Sequence, residues 1–379
     1  MQKQTEIVIM RAGTSKGIFI KQSSLPVDIK ERDALILKIF GSPDIRQIDG
    51  LGGADPLTSK LAIIGPSTRE DADIDYTFGQ VSYVAAKIDY SGNCGNISSG
   101  VAPFAIDEGM VSVKEPFTTV RIHNTNTDRI LEEKIEISQG LAKVDGEYSI
   151  AGVPGTGAEI TIDFSDTAGA STGNLLPTGN VKDRINIDGI GKIDFSLVDA
   201  ANAVVFVRAE DFGLVGIETP KEIDSNKKLL DQIEEARSKG AQMMGMIDDW
   251  KKAKEEIPAF PMIALISKAQ DYTDFTSGKK ISKENIDFVS RLMFMQVVHK
   301  TYAGTATICT GVAAKVAGTI VSDAMVEKNN NTDTLHIGHP AGAIRIDVAT
   351  EKVDEGWKLN KAIISRTARR ILKGFCYTS

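Results

Sequence analysis

Two cysteine-centred stretches rich in small residues, one in each half of the chain, set the tightest limit on how this sequence folds. In Ser91-Gly92-Asn93-Cys94-Gly95-Asn96-Ile97-Ser98-Ser99-Gly100 the cysteine stands between Gly/Asn pairs, ahead of apolar residues at helical spacing (Ile97, Val101, Phe104, Ala105). That places Cys94 where a helix begins. Thr305-Ala306-Thr307-Ile308-Cys309-Thr310-Gly311-Val312-Ala313-Ala314 repeats the design and predicts Cys309 at a second helix start. Unpaired N–H groups and about half a positive charge gather at such ends and hold anions. The glycines imply tight turns or close backbone approach to a ligand. The same residues also read as turn formers around buried structural thiols, and the motif alone leaves both readings open.

Around each stretch the sequence lays down short strands and few helices. In the first half, Ile7–Met10 and Ile18–Ile20 flank the polar turn Arg11-Ala12-Gly13-Thr14-Ser15-Lys16-Gly17. Asp28 with Glu31 reads as a capping box opening a helix that stops at Gly41. The glycine-rich run 46–60 then leads into an apolar strand, Leu61–Ile64, and further strands follow at Tyr76–Val84, Thr118–His123 and Lys134–Ser138. Pro103 implies a kink or a later start for the helix after Cys94. The Gly/Thr/Ser/Pro-rich segment Ala151–Asn180 reads as a surface crossover.

The second half repeats this grammar. Strands are expected at Ile193–Val198, Ala203–Val207, Met262–Ile266, Leu335–Ile337, Ala343–Val348 and Trp357–Ile364, with helices at Lys227–Lys239 and Ser282–Lys300. Many strands around one or two buried helices, without strand–helix alternation, predict an α+β architecture. At 379 residues two cores are the default, and the halves are read as 1–180 and 181–379.

Composition removes several classes of function. A net charge of −7 gives no global footprint for nucleic acid. Three cysteines (Cys94, Cys309, Cys376) form no disulfide framework and suit a reducing, cytoplasmic setting. The start Met1-Gln2-Lys3-Gln4-Thr5-Glu6 lacks a signal-peptide layout, and no apolar run reaches membrane-spanning length. His336 and His339 beside Pro340 have no metal-ligand spacing, so no metal is expected. The turn at 11–17 lacks the Walker order of glycines, which argues against nucleotide, yet its hydroxyls, N–H groups and cations suit a carboxylate; a plain solvated hairpin is the alternative. Lys60 stands at the mouth of an apolar strand, where an amine can be desolvated, although a lysine there is often only a solvated edge residue.

Four stretches, Met10–Gly17, Gly52–Lys60, Asn93–Asn96 and Thr301–Gly311, resemble the 3-methylitaconate Δ-isomerase and 2-methylaconitate isomerase family, and the likeness spans essentially the whole chain. The resemblance implies two pseudo-symmetric diaminopimelate epimerase-like domains, each a curled sheet around a central helix, with the active site in the cleft between them. It also implies a cofactor-free 1,3-proton shift in an unsaturated di- or tricarboxylate, foremost 3-methylitaconate to 2,3-dimethylmaleate. Lys60 and Cys94 match the family's acid/base positions. Thr14, Ser15, Asn93, Gly95, Asn96, Cys309, Thr310 and Gly311 would bind substrate. Relatives with epimerase activity use one cysteine from each half, so the role of Cys309 stays open. Competing readings are an aconitate or 2-methylaconitate cis/trans isomerase, an amino-acid epimerase or racemase, and a non-catalytic carboxylate-binding protein. The expected partner is a small carboxylate, not nucleic acid or membrane, and a homo-oligomer is compatible with this reading.

Overall fold

Short apolar runs become strands in both halves, and an inner and an outer helix cover the two faces of each sheet. The computed structural model describes residues 2–325, 332–354 and 356–379. It divides into two units, Met1–Ile162 with Ser365–Ser379, and Asp163–Ile364.

The first unit runs β1 (Lys3–Ala12), β2 (Ser15–Lys21), α1 (Ile29–Phe40), β3 (Lys60–Pro66), β4 (Ile74–Val81), β5 (Ile88–Asp89), α2 (Gly95–Ser98), α3 (Val101–Asp107), β6 (Phe117–Asn124), β7 (Arg129–Ser138) and β8 (Leu141–Ala142). Asp28 caps α1 by accepting from the Glu31 N–H, and Gly41, at φ 72°, returns its N–H to the Leu37 and Lys38 carbonyls. Ile36, Ile39 and Phe40 of α1 pack on Ile7, Ile18, Ile20, Leu61 and Ile63. On the inner side α3 is buried from Val101 to Ile106, with the Phe104 ring 5.8 Å from that of Phe19. Covered on both faces, β3 is buried from Lys60 to Gly65 rather than alternating.

The second unit follows a strand at its border, β9 (Ile160–Asp163), and runs β10 (Asp183–Ile187), β11 (Gly191–Ala200), β12 (Asn202–Arg208), α4 (Pro220–Asp224), α5 (Lys227–Met243), α6 (Ala253–Glu256), β13 (Met262–Lys268), β14 (Tyr272–Thr273), β15 (Lys280–Ile281), β16 (Phe288–Phe294), β17 (Val297–Val298), α7 (Gly304–Lys315), α8 (Ile320–Ala324), β18 (Thr334–His339), β19 (Gly342–Val353) and β20 (Gly356–Arg366). Leu229, Ile233 and Ala236 of α5 cover one face with Leu197, Val205 and Ile263. The inner helix α7 is buried from Gly304 to Ala314. The last strand, β21 (Ala368–Thr378), belongs to the first unit, antiparallel to β1.

Strand pairings confirm the repeated grammar. From β21 through β1, β2, β3, β4, β6 and β7 the successive pairings are antiparallel, antiparallel, parallel, antiparallel, parallel and antiparallel. From β10 through β11, β12, β13, β16, β18 and β19 they follow the same series. Each unit is thus an α+β sheet wrapped on one inner helical segment, with one amphipathic helix outside.

Four expectations need correction. The helix expected over Ser282–Lys300 is a short 3₁₀ turn followed by β16 and β17. Every residue of β16 is buried, and an apolar run buried on both faces carries no period that separates strand from helix. Cys309 lies inside α7, not at its start, because the helix already begins at Gly304. The segment Ala151–Asn180 contains β9, and Ile160, Ile162 and Phe164 in it are core residues. Finally, the units divide at 162/163 instead of 180/181, and β21, missed in the sequence, returns to the first unit.

Candidate active site

Within the first unit, three loops and one strand bring Lys60, Cys94, Ser15 and Asn96 into one buried neighbourhood. The turn between β1 and β2 is a two-residue hairpin, with Ala12 opposite Ser15 and Gly13 at φ 54°. Gly13 is required twice over, since a Cβ there would also fall 2.3 Å from Asn96 Oδ1. Asn96 in turn fastens the hairpin, donating from Nδ2 to Thr14 Oγ1 at 3.1 Å. Ser15 is 2% exposed, and its hydroxyl has no hydrogen-bond partner among the described residues.

Lys60 opens β3 with its side chain inside the unit, 3% exposed. Its backbone lies opposite Gly17 of β2, where a Cβ would come within 2.9 Å of the Lys60 carbonyl oxygen. The glycine-rich loop ahead of it is drawn tight by Gln47, whose Oε1 accepts from the Ala54 N–H at 2.8 Å and the Ser59 hydroxyl at 2.7 Å. Lys60 Nζ donates to Gln80 Oε1 at 2.7 Å. Gln80 is oriented by donating to the carbonyls of Pro56 and Ser59, both at 3.2 Å. Nζ also sits 5.3 Å from the centre of the Phe78 ring.

Burial pushes the Lys60 amine below its ordinary range, against the opposing pull of the Cys94 thiol, to which it hydrogen-bonds, and of Asp55. A lysine so placed gives up its proton more readily than a solvated one. Cys94 takes the position before the first turn of α2 and is 7% exposed. Asn93 Oδ1 accepts from the Cys94 N–H at 2.6 Å, and the Ser98 N–H closes the turn on the Cys94 carbonyl at 2.8 Å. α2 is a single turn, and α3 restarts after Ser99 and Gly100 with Pro103 in its first turn. The break needed to accommodate Pro103 is therefore met by the later start. Gly95, Asn96 and Asn93 are all buried beside the thiol.

A residue with no signal in the sequence completes the neighbourhood. Arg366 is 2% exposed, donates from Nε to Asn96 Oδ1 at 3.0 Å and from Nη1 to the Ser365 carbonyl at 2.9 Å. Gln80 was likewise missed, although in the alternation Ile74, Tyr76, Phe78 of β4 it takes the next apolar position, an anomaly that could have marked it.

The remaining candidates lie in the second unit. Cys309 is fully buried, its thiol donates to the Val198 carbonyl at 3.1 Å, and burial pushes its pKa well up. Thr310 Oγ1 is 3.0 Å from the Tyr302 hydroxyl. Gly311 lets α7 pack against β19, since a Cβ there would meet Ile346 Cδ1 at 2.7 Å. None of these three occupies a helix start. Among the described residues no cluster of three or more His, Cys, Asp or Glu side chains could hold a metal ion, and no helix is long and apolar enough to cross a membrane.

The chain as a whole is similar to known proteins. The family model described as "PrpF protein" matches residues 2–379. The chain is 57% identical over 376 residues to a 3-methylitaconate isomerase of Eubacterium barkeri, covering 99% of this chain and 97% of that protein. It is 35% identical over 379 residues to a 2-methyl-aconitate isomerase of Cupriavidus necator, covering 97% of this chain and 95% of that one. A crystal structure of a methylitaconate Δ-isomerase superposes with a TM-score of 0.82 at 56% identity, over 100% of this chain and 96% of the other. A hydroxyproline epimerase of Agrobacterium vitis shares the fold at a TM-score of 0.59 and 12% identity, covering 100% of this chain and 94% of that one.

Proposed function

The chain belongs to the PrpF family, and from that premise we propose that it is a cofactor-independent isomerase that moves a C=C bond in 3-methylitaconate to give 2,3-dimethylmaleate. The observation that carries the proposal is the buried Lys60 amine, weakened as a base by desolvation and hydrogen-bonded to both Gln80 and the Cys94 thiol. The relative named for this substrate supports the choice, being 57% identical against 35% for a relative named for 2-methylaconitate.

The chemistry asks little more of the protein than a movable proton and a place for negative charge. Neutral Lys60 takes the proton from the saturated carbon that bears a methyl group and a carboxylate. The electron pair spreads through the adjacent alkene and onto the carboxylate oxygens. Lys60 then returns the proton to the terminal CH2, which becomes a methyl group, and the double bond is left between the two substituted carbons. Cys94 stays hydrogen-bonded to the amine and supplies a second proton position beside it. Fixed donors near the developing enediolate lower the barrier most, and the buried Ser15 hydroxyl is available for that task.

Incubating the protein in deuterated water with 3-methylitaconate, 2-methylaconitate and trans-aconitate, and following the products by NMR, tests the proposal. The expected early product is 2,3-dimethylmaleate carrying at most one deuterium, on one methyl group, introduced by exchange on the Lys60 amine between the two proton transfers. Turnover of only the tricarboxylates would assign the chain to the second reading, a 2-methylaconitate isomerase.

A further inference from the structure

The Arg366 guanidinium is buried at 2% exposure, yet among the described residues it forms no salt bridge with any carboxylate. Its Nη2 is also sealed from solvent and makes no hydrogen bond. A buried cation without an opposite charge is costly, and leaving one of its donors unused adds to that cost. Such an arrangement persists where an anion arrives to complete it.

The surroundings say where that anion would sit. Arg366 Nε and the Thr14 N–H both donate to Asn96 Oδ1, at 3.0 and 3.4 Å, so the guanidinium is tied to the hairpin turn that carries Ser15. Ser15 contributes a second buried donor with no partner. The Cys94 thiol lies close enough to act electrostatically on Arg366, as it does on Lys60. Burial pushes the guanidinium down to about 10, against weaker opposing pulls from Tyr148 and Cys94, so it remains charged throughout the neutral range. A permanent cation and an unused hydroxyl therefore flank the acid/base pair, with one guanidinium nitrogen, Nη2, meeting no acceptor among the described residues.

We propose that Arg366 is the carboxylate-docking residue of this site, with its unpartnered Nη2 and the Ser15 hydroxyl gripping one carboxylate of an unsaturated dicarboxylate. The assignment rests on the reaction proposed above for its substrate class. A guanidinium keeps its charge and hydrogen-bonds a carboxylate strongly, whereas the Lys60 amine must gain and lose a proton. Division of labour follows: Arg366 holds the charge, and Lys60 does the chemistry.

The experiment measures binding without turnover. Itaconate and its two monomethyl esters are titrated by calorimetry into wild-type protein, Arg366→Gln and Arg366→Lys. Loss of a charged hydrogen bond to a bound carboxylate weakens binding by about tenfold to a hundredfold. The Gln variant is therefore expected to lose at least tenfold for itaconate and for one monoester. The other monoester, esterified on the docked carboxylate, should change less than about threefold. If Arg366 only braces Asn96, all three ligands weaken alike, and that result overturns the proposal, as does a wild-type protein that shows no itaconate binding at millimolar concentration. Should the Gln variant not fold, the Lys variant decides by the same pattern at reduced size, since an ammonium keeps charge but lacks Nη2. Because no turnover is involved, a protein that binds as described but leaves 3-methylitaconate unchanged would refute the proposed reaction and leave the docking residue standing.

Discussion

Replacing Lys60 by methionine removes the amine while keeping the length and apolar stem of a side chain that is only 3% exposed. Two consequences with opposite signs follow. Removing a positioned acid–base group lowers turnover by about a hundredfold to ten-thousandfold, which is about 3–5 kcal/mol of barrier. Stability responds differently, because the folded state disfavours the lysine proton. With the folded pKa below the unfolded value of about 10.4, the unfolded chain binds more protons between those two values, so wild-type stability rises with pH there. Below the folded pKa the full cost of burying the ammonium is present, and above about pH 10.4 it is gone. Lys60→Met is freed of this cost but strands Gln80 Oε1, a pH-independent loss of about 1–3 kcal/mol. The stability difference, variant minus wild type, should therefore be greatest in acid and fall as pH rises toward 10, in denaturant titrations from pH 5 to 10. A difference flat across that range would refute the claim that burial weakens this amine. Lys60→Arg separates charge from proton transfer, because arginine does not deprotonate in proteins. Near-native turnover in that variant would remove Lys60 from the proton-carrying role.

Gln80→Glu places a carboxylate where Oε1 now lies 2.7 Å from Nζ, so it should hold Lys60 protonated and move the acid limb of the kcat/KM profile to higher pH; an unmoved limb would show that Lys60 is not the titrating base. Gly17→Ala drives a Cβ against the Lys60 carbonyl, a backbone atom that cannot yield cheaply, and should lower stability by about 1–3 kcal/mol in urea unfolding together with turnover. Limited alkylation mapped by mass spectrometry should label Cys94 with protection by itaconate, and leave the fully buried Cys309 unlabelled until the protein unfolds. Dialysis against a strong chelator should leave isomerisation unchanged; a large loss that zinc or magnesium restores would reveal a metal-dependent step.

What the sequence shows of this protein is what local pattern can encode. The Asp28 and Gly41 signals locate α1 because caps act within one turn, and β1, β2, β3 and β12 announce themselves by short apolar runs between turn formers. Phe288–Phe294 misleads because its Ser290 and Arg291 are buried along with their apolar neighbours, so no polar face marks the strand. Lys60 and Cys94 are legible through the glycines and asparagines that force their backbone. Arg366 is not, since its partner Asn96 lies 270 residues away and nothing in Ser365-Arg366-Thr367-Ala368 separates it from the neighbouring Arg369 and Arg370. Long-range polar pairing of this kind leaves no period and no spacing to read.

The repeated topology sharpens the case for where the chemistry lies. Lys60, the first residue of β3, faces Gln80 across an antiparallel pairing. In the second unit the matching strand β13 pairs with β16, and the first pair of that ladder is Ile263 opposite Met293. The same position of the same fold thus carries a buried amine–amide pair once and an apolar pair once. The cysteines diverge similarly: Cys94 precedes the first turn of its helix, while Cys309 lies in the interior of α7 with its thiol bonded to a backbone carbonyl. A scaffold of this kind needs no buried lysine for stability, since the second unit folds with an apolar pair at the start of the matching strands, and its own buried arginine, Arg291, rests on the Glu218 and Ser290 carbonyls, whereas Arg366 Nη2 has no partner among the described residues. The costly polar groups of the first unit therefore call for a reason other than folding, and an anionic substrate with a proton to be moved supplies one.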